Sequence, residues 1–528
     1  MSQDDVKEIS EGKPKKKMRF DQRDWAYIAE HICEELTKRK KEREGLEKIW
    51  KEVDRQVAMI PKRTHKTLPD GTPDLTKAWL PEIELPLQAQ TLEVLTADSR
   101  RMLSPDAGSW FVPHAETTDE YLERVDFQSL IAGDESDVPS LITQDNADKL
   151  VQGVMDHWHR QYDFWGNIDK IDAEAFKYGM GIGRVRLASK QIFMNTSKGV
   201  VKVNKKIPVL VPRSIKNVYL DNSVTNLMNE SHIVGGSVIA CKKQKVQDVI
   251  MAAQESSDPD NPEGGWMKAN LKGMKGDKNG DVEVIEFEGD LIVPRKTKDS
   301  IYIPNCIVTV CVGNVGKKTQ EKVIRFRFNQ FPFNSYIEFP YHYENLDTAY
   351  PTSPLIKGWP IQAAAVDSLC RLLESSALKT APPVSYDADD PKFAQDGGVN
   401  IHPYASWGTT GDVKVHSEVG GEPSQMQAVY FGFLQQYADV TGVNAPRLGA
   451  QTVSHTTAYA KEAELNRGTI RTVDYVRSTL KNPLARFLSM EYEIGKDTVK
   501  NDTVFIDAYN GFVTLNKEHL PDRDWETR

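Results

Sequence analysis

Two glycine-containing segments carry residue types that bind phosphate in nucleotide-binding proteins. Gly316-Lys317-Lys318-Thr319 resembles the end of a P-loop, but Gly313 precedes it by three residues where that motif needs five. A strand-like run follows it instead of a helix whose N-terminus could hold phosphate. Gly179–Gly183 resembles a dinucleotide loop, but a helical pattern precedes it and a strand pattern follows, which is the reverse order. We therefore predict a β-turn at the first segment, and a helix C-cap with a tight turn at the second.

Metal-binding residue types also occur without the spacing that a metal site needs. From Asp277 to Glu288 the ends match a calcium loop, but glycine falls at position four instead of six. His157 and His159 are spaced i,i+2, so a helix directs them to different sides. We predict no metal, no cofactor and no catalytic residues. The sequence also lacks G-x-S-x-G and H-E-x-x-H, so no enzyme class has support from a motif.

One acidic group keeps an enzymatic alternative open. Asp387, Asp389 and Asp390 follow Pro382-Pro383, and closely spaced carboxylates can bind Mg²⁺. An exposed acidic loop is the commoner meaning of such a run. The alternative function is therefore a metal-dependent nuclease, or another DNA-processing enzyme with an irregular acidic site.

Composition and charge bound the class of protein. At about 150 residues per domain, 528 residues predict two to four structural units. Hydrophobic residues make up 39% and charged residues 27%, which is typical of an ordered soluble chain. The net charge of −9 argues against a protein whose main task is to hold nucleic acid by neutralising phosphates. The five cysteines form no C-x-x-C motif, and we expect reduced, mostly buried thiols.

No targeting or membrane segment is evident. No apolar region follows the basic residues near the N-terminus, and the longest apolar runs are too short to span a bilayer. We expect an intracellular product, or a virion component that is made inside a cell.

Helical periodicity dominates the N-terminal part and the C-terminal half. Asp21 can cap one long helix, or two broken near Gly45, over residues 21–60. Ser353-Pro354 begins another helix, with serine as N-cap and proline at its first position, and Pro360 should kink or restart it. Further helices are predicted over 423–439 and over Thr457–Glu493, the latter interrupted at Pro483.

Strand patterns occupy the middle of the chain. Arg184–Leu187 reads as a strand, and residues 199–203 and 207–212 as an antiparallel pair. Ile233–Ala240 is predicted as a strand and Lys242–Ala253 as a helix. From residue 281 to 339 the pattern is again β. The overall prediction is an α+β fold.

The order of these pieces resembles the portal (head-to-tail connector) proteins of tailed bacteriophages. A helix ends at Leu103-Ser104-Pro105 before Trp110-Phe111, and a helical stretch turns through Gly179–Gly183 into a strand. Val211–Asp221, a strand, a helix, a β insertion, the Ser-Pro helix, a loop and a long helix then follow. The resemblance covers most of residues 84–493 and rests on the joint order of motifs that are individually weak. It departs from the family at the C-terminus, where only a short strand-like stretch and a polar tail replace a helical crown.

The resemblance implies a portal-like ring subunit with a mainly helical wing and stem, a small α/β clip insertion and a long wing helix. Its implied segments are a basic tail at 1–20, an N-terminal wing at 21–230, a first stem strand and helix at 231–256, the clip at 257–345, a second stem helix at 346–383, further wing at 384–440, a tunnel loop at 441–456, and the long wing helix with a C-terminal wing or short crown at 457–528.

Site residues and partners are likewise implied by the resemblance. The tunnel loop would present residues to the channel, and the stem would line the channel. The clip would contact the packaging motor and later the tail adaptor. These residues are Val443, Asn444, Arg447, Gln451 and His455 in the tunnel loop, Lys242, Lys243, Lys245 and Lys357 in the stem, and Arg325 and Arg327 in the clip.

The implied function is a structural ring, typically of twelve copies, at one capsid vertex. Double-stranded DNA would pass through it during packaging and ejection. Its partners would be other copies of the chain, the major capsid protein, a terminase or packaging ATPase, and a head-completion or tail adaptor protein, with no membrane. It would be assembled in the host cytoplasm and reside in the virion. A cytosolic scaffold built on the helices of residues 21–60 is a further alternative, but the sequence has only two short heptad-like runs.

Overall fold

The computed structural model describes the chain in segments. They are residues 20–62, 79–103, 110–111, 144–196, 199–221, 236–255, 264–271, 275–277, 280–294, 300–315, 318–329, 334–344, 348–387, 403–409, 413–417, 422–443, 470–499, 502–506, 511–515, 517 and 520–521. The chain divides into two compact units, the first formed by residues 1–42 and 217–334 and the second by residues 43–216 and 335–528.

The described elements combine helices with several small sheets, which confirms the predicted α+β class. The helices are α1 Gln22–Val57, α2 Leu87–Leu103, α3 Gln144–Gln161, α4 Phe164–Tyr178, α5 Val246–Glu255, α6 Lys268–Leu271, α7 Pro354–Thr380, α8 Pro423–Thr441 and α9 Lys481–Lys496. The strands are β1 Met180–Thr196, β2 Gly199–Arg213, β3 Val218–Leu220, β4 Val238–Lys245, β5 Asp281–Val293, β6 Ile301–Val315, β7 Lys318–Phe328, β8 Tyr336–Pro340, β9 Val384–Asp387, β10 Ser406–Thr409, β11 Lys414–Val415, β12 Asp502–Ile506 and β13 Gly511–Leu515.

The first unit is a five-stranded antiparallel sheet with the order β3-β4-β5-β6-β7. The first half of α1 covers it: Ile28, Ile32 and Leu36 recur at helical spacing and pack into the sheet's core. Asp21 caps this helix as expected, since its side chain accepts from the Asp24 N–H at 2.7 Å.

A glycine is required where β5 bends against β6. Gly289 has φ 136° at the β5–β6 bulge. A Cβ atom there would lie 2.9 Å from the Ser237 Cα atom, and side-chain-bearing residues rarely adopt this φ. The bulge therefore depends on glycine, both for conformation and for the close approach of the neighbouring backbone.

Arg39 ties α1 to the edge of the same sheet. Its side chain is 5% exposed and donates to the Tyr219 carbonyl at 3.2 Å and the Ser237 carbonyl at 2.9 Å. It also donates to the Ser237 hydroxyl at 2.7 Å and lies 3.5 Å from an Asp221 carboxylate oxygen. A buried guanidinium is tolerated because these acceptors replace its lost hydration.

The second unit contains the three-stranded sheet β2-β1-β8 and a layer of helices. Helix α4 ends at Gly179, which has φ 93° and whose N–H donates to the Ala175 carbonyl, so the predicted C-cap and turn into a strand is confirmed. A Cβ atom at Gly181 would lie 2.2 Å from the Ile171 carbonyl oxygen. The Gly179–Gly183 segment thus lets β1 run directly against α4.

A second core in this unit joins α3 to α9. Trp158 is 2% exposed and packs with Leu150, Val154 and Tyr492. A Cβ atom at Gly495 would lie 2.3 Å from the Trp158 ring. A small residue at 495 therefore makes room for the largest side chain of this core.

Helix α7 begins as predicted but does not break. The Ser353 hydroxyl accepts from the Ile356 N–H at 3.0 Å, with Pro354 at the first position. The helix runs on through Pro360 to Thr380, so the expectation of a restart is wrong. Side-chain hydrogen bonds just beyond the proline, from Gln362 to the Leu85 carbonyl among them, hold the next turn in place.

Three local expectations need correction. The stem-helix segment Lys242–Ala253 begins as strand β4, and its helix starts only at Val246. The stretches 199–203 and 207–212 belong to one strand, β2, which pairs with β1 over its whole length. Of the long helix expected over Thr457–Glu493, residues 457–469 lie outside the described residues. The described part contains a π-helical turn at Tyr475–Leu480 immediately before α9, and α9 passes through Pro483 in its first turn, where proline is tolerated.

Replacing Arg39 by Met should destabilise the β3–β4 edge. The change leaves the Tyr219 and Ser237 carbonyls without this buried donor, at a cost of about 2–3 kcal/mol. Amide hydrogen exchange in β3 and β4 should accelerate correspondingly. The exposed neighbour supplies the control, since Lys38→Met should leave exchange unchanged. Equal exchange in both variants would contradict the assigned role.

Candidate interaction surfaces

The three lysines that the sequence assigned to a stem helix lie on strand β4. Lys242, Lys243 and Lys245 are exposed. In the antiparallel register, Lys243 faces Glu283 and Lys245 faces Asp281 on β5. Cross-strand pairs of opposite charge stabilise a sheet modestly. These lysines are therefore surface residues whose charge is partly offset by carboxylates of the neighbouring strand.

Arg325, assigned to clip contacts, is a buried residue. It is 2% exposed, donates to the Gly264 carbonyl at 3.0 Å and lies 3.4 Å from a Glu286 carboxylate oxygen. Its guanidinium also stands 5.5 Å from the centre of the Trp266 ring. Arg325 therefore holds residues 264–266 against β7, and its side chain is not available for an external contact.

Arg327 is the member of the clip pair that reaches the surface. It is half-buried, and its Nε donates to the Phe328 carbonyl at 3.2 Å. Phe328 beside it is 45% exposed. The alternation of arginine and phenylalanine along β7 thus places one arginine inside the unit and leaves the other at its rim.

Lys357 lies in the first turn of α7. It is 40% exposed and forms an ion pair with Glu344 at 2.5 Å. Its positive charge is therefore already partnered within the second unit.

The segment assigned to the tunnel loop starts at the end of α8. Gly442 has φ 76° and donates its N–H to the Ala438 carbonyl at 2.8 Å, closing the helix with a left-handed cap. Val443 is 3% exposed, so it is a packing residue and cannot line a channel. Asn444, Arg447, Gln451 and His455 lie outside the described residues.

Helices α7 and α8 pack side by side as an antiparallel hairpin. We call the end at which the start of α7 meets the end of α8 its base, and this end is tightly packed. Lys379 near the end of α7 pairs with Glu422 at the start of α8, at 3.4 Å. At the opposite end, a Cβ atom on Gly358 would lie 2.8 Å from the Tyr437 ring and 3.2 Å from the Thr441 methyl group. The helices approach closely there because residue 358 has no side chain.

A buried amide network holds this base against α2. The Gln88 backbone N–H donates to the Gln362 side-chain carbonyl at 2.9 Å, and the Gln88 amide group donates to the Leu355 carbonyl at 2.9 Å. The Gln362 amide group donates to Glu84 and to the Leu85 carbonyl, both at 2.7 Å. Gln88 and Gln362 are both fully buried, so loss of any partner would leave a desolvated polar group.

The other half of the hairpin is uncovered among the described residues. Of the α8 residues, only Tyr437 and Thr441 are buried, both near its C-terminal end. Val429 is 52% exposed and Phe431 55% exposed, and Leu373 on α7 is 39% exposed. No charged residue occurs in α8 between Pro423 and Ala438. A helix that lacks a charged face is normally covered on several sides.

The sequence marks this surface by a lack of charge, which apolar periodicity does not register. A run without charge over residues 423–438 is unusual in a chain that is 27% charged. Absence of charge, rather than apolar spacing, marks an element that packs on more than one side.

A buried carboxyl group joins α2, α4 and the π-helical turn. Asp172 is 1% exposed, accepts from the Ser99 hydroxyl at 2.5 Å and from the Tyr475 hydroxyl at 3.2 Å. Burial raises the pKa of Asp172 to about 7, although the two hydroxyl donors act in the opposite direction. The charge state of this group therefore changes near neutral pH.

A histidine–glutamate pair lies in an aromatic cluster nearby in the same unit. His159 Nε2 is 2.7 Å from a Glu491 carboxylate oxygen, and the imidazole stacks on Phe164 at 4.3 Å. Trp110 stacks on Phe164 from another direction, at 5.3 Å. Burial raises the pKa of Glu491, and the contact with His159 opposes that rise. The cluster packs the Trp110-Phe111 segment onto α3 and α4.

The cysteines are free thiols, as expected. Burial, together with a hydrogen bond to Glu283, raises the pKa of Cys241 to about 12, so it stays protonated. In the part of the chain that the structure describes, no group of three or more His, Cys, Asp or Glu side chains could hold a metal ion. Asp389 and Asp390 fall outside that part. Among the described helices, none has the length and apolarity needed to cross a membrane.

Comparison with known proteins adds no assignment. No family model matches the chain, and no curated protein matches it significantly.

Asp172 should make the stability of the fold depend on pH. Because its pKa is raised from 3.8 to about 7, its contribution to stability is present below about pH 4 and is lost as pH rises to about 7. Asp172→Asn should therefore gain thermal stability relative to the wild type between about pH 5 and 8, by up to about 4 kcal/mol. The measurement is the difference in Tm at each pH. Glu93→Gln, an exposed change on α2, is the control and should show no such trend. A pH-independent difference for Asp172→Asn would contradict the raised pKa.

Proposed function

We propose that the chain is a portal protein subunit, which assembles into a ring of about twelve copies at one capsid vertex. The proposal starts from the order of sequence motifs that resembles this family. The observation that carries it furthest is the uncovered α7–α8 hairpin. The charge-free run of residues 423–438 in its second helix is suited to contact with another copy of the chain.

Physical chemistry favours self-association through this surface. A helical stretch that has no charged face and leaves apolar side chains exposed is suited to burial against another surface. Phe431 and Val429 are large enough to anchor such a contact, and over the charge-free run of residues 423–438 no ion of α8 would be desolvated. The buried amide network at the base of the hairpin makes the element rigid enough to present them.

The charges of the chain suit a channel through which DNA passes better than a surface that binds DNA tightly. A ring of subunits with a net charge of −9 each repels DNA on average, so a strand could slide through it. Of the cations that the sequence assigned to DNA or clip contacts, Lys243, Lys245 and Lys357 face or pair with carboxylates, and Arg325 is buried. Strong grip on phosphates would require unpaired cations, which these are not.

In this function the chain carries no chemistry of its own. A separate terminase or packaging ATPase would drive DNA inward, the major capsid protein would surround the ring, and a head-completion or tail adaptor would dock on it afterwards. The protein would assemble in the host cytoplasm and remain at the capsid vertex of the virion.

The first test is the mass of the purified protein and its appearance in negative stain. Twelve copies of 59.5 kDa predict a particle of about 714 kDa with an axial hole. The double variant Val429→Glu/Phe431→Glu should shift this particle to the monomer, because it places charges in the proposed contact.

Met251→Glu is the matched control. Met251 is 57% exposed, close to the 55% of Phe431, but lies on α5 outside the hairpin. Rings should persist in this variant. A wild-type protein that stays at 60–120 kDa even with capsid and scaffolding proteins present would overturn the proposal, as would rings that survive the double variant.

A second test concerns the segment after α8. Residues 444–453 should be replaced by a Gly/Ser linker of equal length, which spares the buried Val443. Rings should form normally, whereas DNA packaging or retention in capsids should fall. Capsids that fill and hold DNA like the wild type would show that this segment is not a tunnel loop.

A further inference from the structure

The first unit contains a groove between α1 and strand β7. It has a volume of about 1220 Å³, and its walls are one flank of α1, the Gln320–Val323 part of β7, and Asn270. We call it the α1–β7 groove. All of its lining residues belong to the first unit.

Strand β7 is an edge strand, and only part of its outer side is covered. The sheet order places it last, after β6. Residues 265–267 pair along it at Ile324–Phe326, through the Met267 N–H to the Ile324 carbonyl and the Phe326 N–H to the Gly265 carbonyl. Among the described residues, no strand pairs with Lys318–Lys322 on that side. An open edge beside a groove is suited to an extended peptide segment.

The two walls run in opposite chain directions. Trp25 near the start of α1 lies 5.1 Å from Phe326, whereas Cys33 farther along α1 is hydrogen-bonded to Glu321. The groove therefore leads from an aromatic end at Trp25 toward Lys41 near its other end.

Charges along the α1 wall of the groove are segregated. Glu30 and Glu34 stand four residues apart on α1, and the opposite wall presents Glu321 beside Lys322. Lys38 and Lys41 follow toward the other end. Like charges at i,i+4 repel and destabilise a helix, so the two α1 glutamates favour a cation between them and Glu321. The pattern that complements this groove is a basic stretch followed by an acidic one.

The first nineteen residues of the chain have that pattern when read backward from Phe20. Lys13, Lys15, Lys16, Lys17 and Arg19 come first, followed by a stretch in which the acids Glu11, Glu8, Asp5 and Asp4 outnumber the single cation Lys7. Phe20 itself contacts the Trp25 ring at 4.9 Å and the Phe326 ring at 5.6 Å. The segment therefore leaves the described chain at the aromatic end of the groove.

The distance along α1 also agrees with the reach of the N-terminal segment. At 1.5 Å per residue, Glu30 and Glu34 lie about 7 and 13 Å along α1 from Trp25. An extended chain covers that distance in about two to four residues, at 3.3 Å per residue. Counted back from Phe20, two residues bring Met18 to the level of Glu30 and four bring Lys16 to the level of Glu34, with Lys17 between them.

We propose that the N-terminal segment of residues 1–19 docks as an extended chain in the α1–β7 groove of its own subunit, with Lys15–Lys17 against Glu30, Glu34 and Glu321. Individual exposed ion pairs are weak. The segment is tethered directly at the groove, however, so its effective concentration is in the millimolar range and weak pairs suffice. The docked segment would shield the open edge of β7. This inference is independent of the proposed portal function.

The test is zero-length carbodiimide cross-linking of the full-length protein, with the products identified by mass spectrometry. Lys15, Lys16 and Lys17 should link predominantly to Glu30, Glu34 and Glu321. The triple variant Lys15→Glu/Lys16→Glu/Lys17→Glu should reduce hydrogen-exchange protection of Gln320–Lys322 by about tenfold. Adding Glu30→Lys and Glu34→Lys to that variant should restore the protection, because the charges are exchanged. Lys48→Glu/Lys51→Glu, on the same helix outside the groove, is the matched control and should change nothing.

Two results would overturn the proposal. Cross-links spread equally over exposed carboxylates such as Glu93, with exchange of Gln320–Lys322 unaffected by the triple variant, would show that the segment does not dock. Coexpression of the triple variant with a Glu30→Lys/Glu34→Lys chain tests for exchange between subunits. In that mixture the wild-type cross-links should be absent, and their appearance would show that the segment docks on a second copy instead.

Discussion

The buried amide network around Gln88 and Gln362 is the constraint on which the hairpin and its neighbours depend. Each side chain has two polar ends that are removed from water, and three of these four ends have a hydrogen-bond partner in the fold. Their partners are backbone carbonyls of α7 and of the segment before α2, together with the Glu84 carboxylate. This fixes the rotation of α7 about its axis. Helix α8 packs on α7 across Gly358, and so its uncharged side has one orientation in the second unit.

The buried charges of the two units follow the same rule with different acceptors. Arg39 and Arg325 are almost fully buried, and each donates to backbone carbonyls as well as to a carboxylate. A guanidinium tolerates burial because it presents several donors in a fixed plane and keeps its charge. Burial raises the pKa of Asp172 to about 7, because its two hydroxyl donors offset only part of the cost of burying the charge. Which charges persist in the interior is therefore set by the chemistry of their partners.

Features that depend on neighbouring residues could be predicted from the sequence. Features that depend on pairing between distant segments could not. The caps at Asp21 and Ser353, the glycine turn after α4 and the strands β5, β6 and β7 depend on neighbouring residues, so the sequence displays them. The β1–β2 pairing was missed because the polar residues near 203–206 look like a turn, although they continue β2. Lys242 and its neighbours look helical because lysine alternation on an exposed strand edge carries no apolar signal. Arg325 could not be recognised as buried, since its partners Gly264 and Trp266 lie about 60 residues away in the chain.

The surfaces that the structure leaves uncovered differ in chemistry, and that difference bears on what each can bind. The run of residues 423–438 in α8 offers apolar and neutral polar area without charge, so it suits a permanent contact whose affinity comes from removing that area from water. The α1–β7 groove offers segregated charges and an open strand edge, so it suits a weak, tethered and salt-sensitive contact. A chain that assembles into a ring needs the contact made by the first kind of surface to have high affinity. It needs the second to be covered, because an open edge strand is a template for pairing between chains that would not close into a ring.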